Sequence, residues 1–232
     1  EKLISIAKKY NLIVIEDCAE SHGATVNGKM TGSFGDMSCF SFYANKIITT
    51  GEGGMVMTDN KEFAEKLRLL RNLGFTKPRF WHEVPAYNFR MTGYQAAMGL
   101  VQTNRIVEIV ELKRKMGQSY NEALKGVSWL NTPVELPWAK HVYWMYGATV
   151  KKDSGIKRDD LLKFLLDKGI ETRTFFCPMS QQPFLKKQNG YRKVSTPVAD
   201  EIWETGFYLP SSHTLSEEKI DFICATIKNY TT

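Results

Sequence analysis

No run of about 18 consecutive apolar residues, the length a membrane-spanning helix needs, occurs in the 232-residue chain. Cysteine is scarce: the four residues Cys18, Cys39, Cys177 and Cys224 lie far apart with no CxxC spacing. A disulfide framework is therefore not expected. Cys18 and Cys39 sit in apolar, strand-like context and read as small buried thiols, with a cytoplasmic setting as the default. The four histidines, His22, His82, His141 and His213, show no metal-ligand spacing, and no metal is assigned. Neither GxGxxG nor GxxxxGK[ST] is present, so GEGG at 51–54 does not mark a Rossmann or P-loop site. Long basic clusters are missing too. The net charge of +6 comes from 31 basic and 25 acidic residues, and the short runs LKRK (112–115) and LKKQ (185–188) read as solvated faces rather than a nucleic-acid surface. There are no internal repeats and no low-complexity tracts. What remains, with 43% hydrophobic and 24% charged residues, is the composition of a soluble globular protein.

The organisation divides near residue 104. Before it, strand-like segments at about 12–16, 36–42 and 54–57 alternate with turns and helices. Asp59, three residues before Glu62, suggests a helix N-cap; Phe63, Leu67 and Leu70 recur on one face, and Gly74 supplies a stop. The aromatic, proline-interrupted stretch 76–91 reads as a long ordered loop, followed by a helix of small residues in MTGYQAAMGLVQ. A long helix over 105–124 carries Ile106, Ile109, Met116, Tyr120 and Leu124 at helical spacing. Beyond it, strands are expected near 142–150 and 171–176 and helices near 159–168 and 216–228, the last with a core stripe of Ile220, Ile223, Cys224 and Ile227. The opening EKLISIAKKYNLIVI has no apolar signal region. It reads as the middle of a domain, an amphipathic helix with Ile4 and Ala7 on one face feeding directly into a strand.

Two stretches carry candidate chemistry. SFYANKIITTGEGG (41–54) places Lys46 on a connection between β-prone runs, five residues after Ser41 and ahead of a glycine pair. An imine-forming lysine needs a partly desolvated site beside another positive group to fall from its usual pKa of about 10.4; a lone loop lysine is otherwise a solvated charge. LIVIEDCAESHGA (12–24) ends an apolar strand in Glu16 and Asp17, where open α/β sheets place ligands. Asp17 can hold a heteroaromatic nitrogen protonated, or cap the next turn.

These residues, with GKMTGSFGDMSCF ahead of the lysine stretch, YNFRMTGYQAAMGL (87–100), HVYWM (141–145), GIETRTFFCPM (169–179) and GFYLPSS (206–212), resemble the DegT/DnrJ/EryC1/StrS sugar-nucleotide aminotransferases over nearly the whole chain. The resemblance implies an α/β fold: part of a pyridoxal-phosphate-dependent fold-type I major domain with a mostly parallel sheet (1–104), then a bridging helix and a small α+β domain (105–232). It implies pyridoxal 5'-phosphate as cofactor and Lys46 as the attachment lysine and proton carrier. Related sugar dehydratases replace that lysine with histidine, so its presence follows the aminotransferase pattern. Asp17 matches the partner of the pyridine nitrogen and Ala19 the small residue beneath the ring. Glu20 falls near the cofactor's 3' oxygen, with substrate contact or turn capping as alternatives. Ser41 matches a phosphate ligand, unless it satisfies a neighbouring backbone group. Asn88 matches a phosphate contact reaching across from a second subunit, which implies a homodimer with composite sites; otherwise it stabilises its own loop, which Tyr87 and Arg90 help build. His22 and Arg173 are assigned to substrate, with a salt-bridged structural role equally open for Arg173. Ser180 departs from the family's frequent histidine in PMH, which leaves sugar specificity there unassigned.

The implied reaction moves an amino group from L-glutamate to the 4-keto group of a nucleotide-linked 4-keto-6-deoxy sugar, GDP-4-keto-6-deoxy-D-mannose first and a UDP-linked sugar as the alternative. Family members carry an upstream segment holding the first strands and part of the phosphate site. The expectation is therefore a fragment, or a chain completed by another polypeptide, that is a poor catalyst alone. A catalytically inactive or regulatory piece of the fold is the reading from another class.

Overall fold

The computed structural model describes residues 1–230. The chain forms two compact units. The first is Glu1–Glu111 with Leu136–Trp144; the second is Leu112–Glu135 with the chain from Met145 onward.

In the first unit, helix α1 (Lys2–Lys9) leads into β1 (Ile15–Asp17). A hairpin follows, β2 (Thr25–Val26) and β3 (Lys29–Met30), then β4 (Met37–Ser41) and β5 (Gly54–Met57). β1 and β4 run parallel with Asp17 opposite Cys39, while β5 returns antiparallel to β4 with Gly54 opposite Ser41. Asp17 and Ser41 are thus the last residues of adjacent parallel strands, at the carboxyl ends where α/β folds gather ligand groups. The hairpin turns on Asn27 (φ 49°) and Gly28 (φ 78°), a pair that adopts the left-handed region readily.

The turn before β4 is held by Glu16. Its carboxylate accepts from the backbone N–H groups of Gly32 (2.8 Å), Phe34 (2.6 Å) and Gly35 (2.8 Å). A single side chain thus satisfies three backbone donors. Gly35 tolerates no side chain here, since a Cβ would sit 2.7 Å from the Val14 carbonyl oxygen.

Helix α2 (Lys61–Arg71) turns Phe63, Leu67 and Leu70 to its half-buried side. Its N-cap is Asn60, one residue after the expected Asp59: Asn60 Oδ1 accepts from the N–H groups of Glu62 and Phe63 at 2.9 and 3.1 Å. Asn60 has the extended backbone that a cap requires. Helix α3 (Gly93–Asn104) starts from Thr92 with a reciprocal capping box to Gln95. Helix α4 (Ile106–Ala123) follows after Arg105, and the boundary between the units falls within it. The strand β6 (Leu130–Asn131) belongs to the second unit, whereas β7 (Ala139–Lys140) pairs with β2 in the first. The core of the first unit gathers Phe42, Ile47, Ile48, Ile109, Val110 and Val142, with Phe40, Met91, Ile106 and Trp144 packed against it.

In the second unit an antiparallel sheet has the order β6, β8 (Tyr146–Val150), β10 (Gly206–Leu209), β9 (Arg173–Thr174). Tyr146, Ala148 and Val150 alternate into the core. With it go the C-terminal part of α4 and the helices α5 (Arg158–Asp167), α6 (Pro183–Lys186), α7 (Pro197–Thr205) and α8 (Glu217–Lys228). The expected stripe of α8 is buried in full. Lys113, also buried, donates to the carbonyl of Ser211, and desolvation lowers its pKa from 10.5 to about 8. Tyr120 donates its hydroxyl to the carbonyl of Pro210 at 3.0 Å, so the segment 206–212 is anchored from α4. Among the described residues no helix is long and apolar enough to cross a membrane.

Candidate active site

Lys46 follows β4 on the loop that ends at β5, and the sequence around it explains how that loop is fixed. Ile47 and Ile48 are driven into the core. Phe42 takes the N–H of Thr50 on its carbonyl and donates to the carbonyl of Gly53, both at 2.9 Å, which closes the loop at its neck. Gly53 has φ 147° and lies so close to Thr50 that a Cβ would meet its Oγ1 at 2.6 Å. The backbone of Lys46 donates to Tyr43. A charged residue is therefore carried on a rigid loop.

The Lys46 side chain is 11% exposed and its Nζ lies 3.4 Å from Glu20 Oε1. Glu20 is half exposed, so the ion pair adds little stability. Nζ also lies 3.9 Å from the centroid of the Trp144 ring. Trp144 in turn donates Nε1–H to the carbonyl of Asn45 at 2.8 Å. The motif HVYWM was visible in the sequence, but nothing in it tied Trp144 to the lysine.

Asp17 Oδ1 accepts from the Ala19 N–H at 3.0 Å, and Oδ2 has no protein hydrogen bond among the described residues. The carboxylate thus caps its own turn and still offers an acceptor. Ser41 Oγ accepts from Tyr43 N–H at 3.3 Å, which leaves its own hydroxyl proton to donate. Ala19 follows Asp17 closely on the same turn, and Glu20 comes next. The structure therefore brings Asp17, Ala19, Glu20 and Ser41 to the strand ends of one sheet, with Lys46 on the adjoining loop and joined to Glu20 directly. An amine, a carboxylate acceptor and a hydroxyl donor at and just beyond the carboxyl ends of adjacent strands suit a molecule carrying an aldehyde, a protonated ring nitrogen and a phosphate. That donor set fits pyridoxal phosphate.

His22 lies on the same turn but is 2% exposed, with neither ring nitrogen hydrogen-bonded. Phe40 and Phe42 pack on it, their ring centroids 5.4 and 6.0 Å away. Burial and then the Lys46 charge push its pKa from 6.5 down to about 4; the Ser41 backbone opposes this without reaching hydrogen-bond geometry. On unfolding, His22 binds a proton that the folded state refuses. The stability tied to its neutral form is present above pH 6.5 and is lost as pH falls through 4, by up to about 3 kcal/mol. Urea unfolding at pH 7 and 4.5 should show a larger loss of midpoint in wild type than in His22→Phe; equal losses would mean that another group carries the acid sensitivity.

Asn88 and Arg173 each have local partners. Asn88 bridges to Asn72 through the backbone and accepts from Arg90 Nε at 2.9 Å, within the loop that Tyr87 and Phe89 line as a stacked pair. Arg173 is on β9 in the second unit, exposed and 3.0 Å from Glu171. Ser180, in the same unit, shares its hydroxyl with Thr196 at 2.9 Å, and a cavity of about 480 Å³ is lined there by Gln181, Lys186, Tyr191 and Lys193 as well.

A family model, the DegT/DnrJ/EryC1/StrS aminotransferase family, matches residues 1–228. The chain belongs to that family. GDP-perosamine synthase of Vibrio cholerae is 36% identical over 99% of the chain and 62% of its own length. The GDP-perosamine synthase of Escherichia coli O157:H7 is 37% identical, over 99% of the chain and 61% of its length. Among solved structures, the PLP-form of a sugar aminotransferase described as putative, Spr1654 of Streptococcus pneumoniae, superposes with a TM-score of 0.86 at 26% identity, covering 96% of this chain and 59% of that one. The chain thus spans about three fifths of the length of the relatives it matches. Members of the family are pyridoxal-phosphate-dependent enzymes, and the mixed α/β fold is theirs.

Proposed function

We propose that this chain takes part in moving an amino group from L-glutamate to C4 of a nucleotide-linked 4-keto-6-deoxy sugar, GDP-4-keto-6-deoxy-D-mannose in the first instance, to give GDP-perosamine. The observation that carries the reading is that Asp17 and Ser41 end adjacent parallel strands while Lys46, on the loop after Ser41, reaches Glu20 on the turn after Asp17. The GDP-perosamine synthases among the relatives support the sugar. Pyridoxal phosphate, when bound, supplies an electron sink next to the reacting carbon.

The chain's own residues do the rest. Lys46 Nζ would hold the cofactor by its aldehyde carbon and, as a free amine, would take the proton from Cα of glutamate and return one to C4 of the sugar. Asp17 Oδ2 would hold the pyridine nitrogen protonated, Ala19 would leave room for the ring, and Glu20 would serve the 3' oxygen. The Ser41 hydroxyl would donate to the phosphate, as would Asn88 across a homodimer interface, which would make the working sites composite. Arg173 contacts the sugar nucleotide. In this reading residues 1–104 serve the cofactor and 105–232 form the bridging helix and small domain of a cytoplasmic enzyme of lipopolysaccharide O-antigen biosynthesis.

The test is glutamate-dependent amination of GDP- and UDP-linked 4-keto-6-deoxy sugars, side by side with pyridoxal phosphate present, followed by mass spectrometry of the sugar nucleotide. The GDP sugar should be converted faster. Amination of neither would defeat the reading, and preference for the UDP sugar would replace its substrate.

A further inference from the structure

The stretch between α2 and α3 folds into a narrow antiparallel ribbon. Asn72 pairs with Asn88 and Phe75 with His82, and Leu73 donates its N–H to the Tyr87 carbonyl at 2.8 Å. The carbonyl of Trp81 takes both the N–H and the hydroxyl of Thr76, at 3.1 and 3.0 Å. The Trp81 N–H in turn reaches the carbonyl of Pro78 at 3.0 Å, which closes the tip over residues 77–80. The tip is thus tied through its backbone, yet its large side chains face water: Phe80 is 68% and Trp81 59% exposed. Phe80 also holds φ 70°, a left-handed backbone that costs an L-residue about 1–2 kcal/mol. With its ring largely exposed, burial does not offset that cost. An ordered tip that shows two large rings and carries strain to do so has the character of a recognition surface.

The side chains at the tip narrow the ligand. The Arg79 guanidinium lies 4.8 Å from the centroid of the Phe80 ring, which keeps that cation at the tip, and exposed Lys77 adds a second positive charge. Glu83 is the one carboxylate between residues 72 and 90. His82 is engaged with the Leu73 carbonyl at 2.8 Å and Arg90 with Asn88 at 2.9 Å. Trp81 offers an open face: among the described residues no ring packs on its indole and no hydrogen bond takes its Nε1–H. An open aromatic face two residues from a guanidinium suits a planar base joined to phosphates, the base by stacking and the phosphates by charge-assisted hydrogen bonds. The two cations flanking the rings favour such a small anion over a second apolar surface. We propose that the ribbon tip reads the nucleotide of the substrate, with Trp81 stacked on the base and Arg79 paired with the diphosphate. This rests on the nucleotide-linked sugar of the reading above. Asn88, which that reading sends to a second copy's site, sits at the base of the same ribbon, so it and the tip arrive together.

Isothermal titration of the whole chain with GDP, and with inorganic diphosphate as a base-free probe, separates the two contacts. Trp81→Ala removes the ring and keeps the backbone bonds of residue 81, so GDP affinity should fall about five- to hundredfold, the range for losing one base stack, while diphosphate affinity holds. Trp81→Phe should fall between wild type and the alanine variant. Arg79→Gln should weaken GDP and diphosphate alike, by about tenfold or more, and make GDP binding less sensitive to salt. Circular dichroism checks folding. Wild type that binds no GDP, or folded Trp81→Ala with unchanged GDP affinity, would overturn the proposal. So would a change in oligomeric state with GDP affinity intact, since the tip would then be a contact between copies. Amination of the GDP-linked 4-keto sugar separates this proposal from the reading beneath it. The KM of Trp81→Ala should rise by the factor seen with GDP while kcat holds, because the base is remote from C4. If GDP binding follows the expected order but no sugar is aminated, the nucleotide site stands and the proposed reaction falls; if amination proceeds with an unchanged KM in Trp81→Ala, the reaction stands and the nucleotide site falls.

Discussion

Lys46→Ala should abolish amino transfer, with a loss of at least about 10²–10⁴-fold, the range for removing a positioned acid–base group, while the fold stays intact. The second half of that expectation comes from the loop. Its shape is held by Ile47, Ile48 and the Phe42 backbone bonds to Thr50 and Gly53, none of which involves the lysine side chain. What the side chain does contribute is a screened ion pair and one ring contact, together about 1 kcal/mol. Urea midpoints should therefore move little. Borohydride reduction in the presence of pyridoxal phosphate should put the cofactor mass on the Lys46 peptide of wild type, and on no lysine of the variant. A fully occupied label on a different lysine would end the assignment, as would turnover within tenfold of wild type.

How far these groups could be read in the sequence varies with the kind of signal. Strands β4 and β5 were expected at about 36–42 and 54–57 and occur at Met37–Ser41 and Gly54–Met57, because β-prone residues there are bounded by turn residues on both sides. The stripe on α8 follows from period alone. The strand expected over 142–150 begins only at Tyr146, since Tyr143 has φ 48° and gives its N–H to His141 Nδ1 at 2.7 Å. That local bond withdraws a donor from any ladder. The hairpin at Asn27 and Gly28 has a strong turn pair, but its strands are two residues each, too short for any periodicity to show. The cap fell on Asn60 rather than Asp59 because adjacent side chains of similar chemistry differ only in which backbone turns extended. For the site, Lys46, Asp17 and Ser41 carry chemical signatures in short motifs. Trp144 and the three-donor role of Glu16 do not, because each depends on residues brought together by folding, and a tryptophan in an apolar run looks like core until its neighbour is known.

Asp17→Asn tests the other end of the site. The substitution preserves shape, and the amide oxygen can still accept the Ala19 N–H that Oδ1 now takes at 3.0 Å. β1 should therefore keep its register with β4, where Asp17 lies opposite Cys39. At the second position an NH₂ replaces Oδ2, so a donor now faces the ring N–H that the carboxylate is proposed to hold. Two donors cannot share one proton, and the negative charge that favours a protonated ring nitrogen is gone. Turnover should fall by about 10²–10³-fold, the range for losing one preorganised electrostatic contact in a shielded site, and the absorbance of the bound cofactor should change its dependence on pH. Because the loss arises from charge rather than shape, Asp17→Ala should be no more active than Asp17→Asn, although it also gives up the turn cap. Near-normal turnover and an unchanged cofactor spectrum in Asp17→Asn would leave the carboxylate with only its bond to Ala19, and the ring nitrogen would need a partner elsewhere.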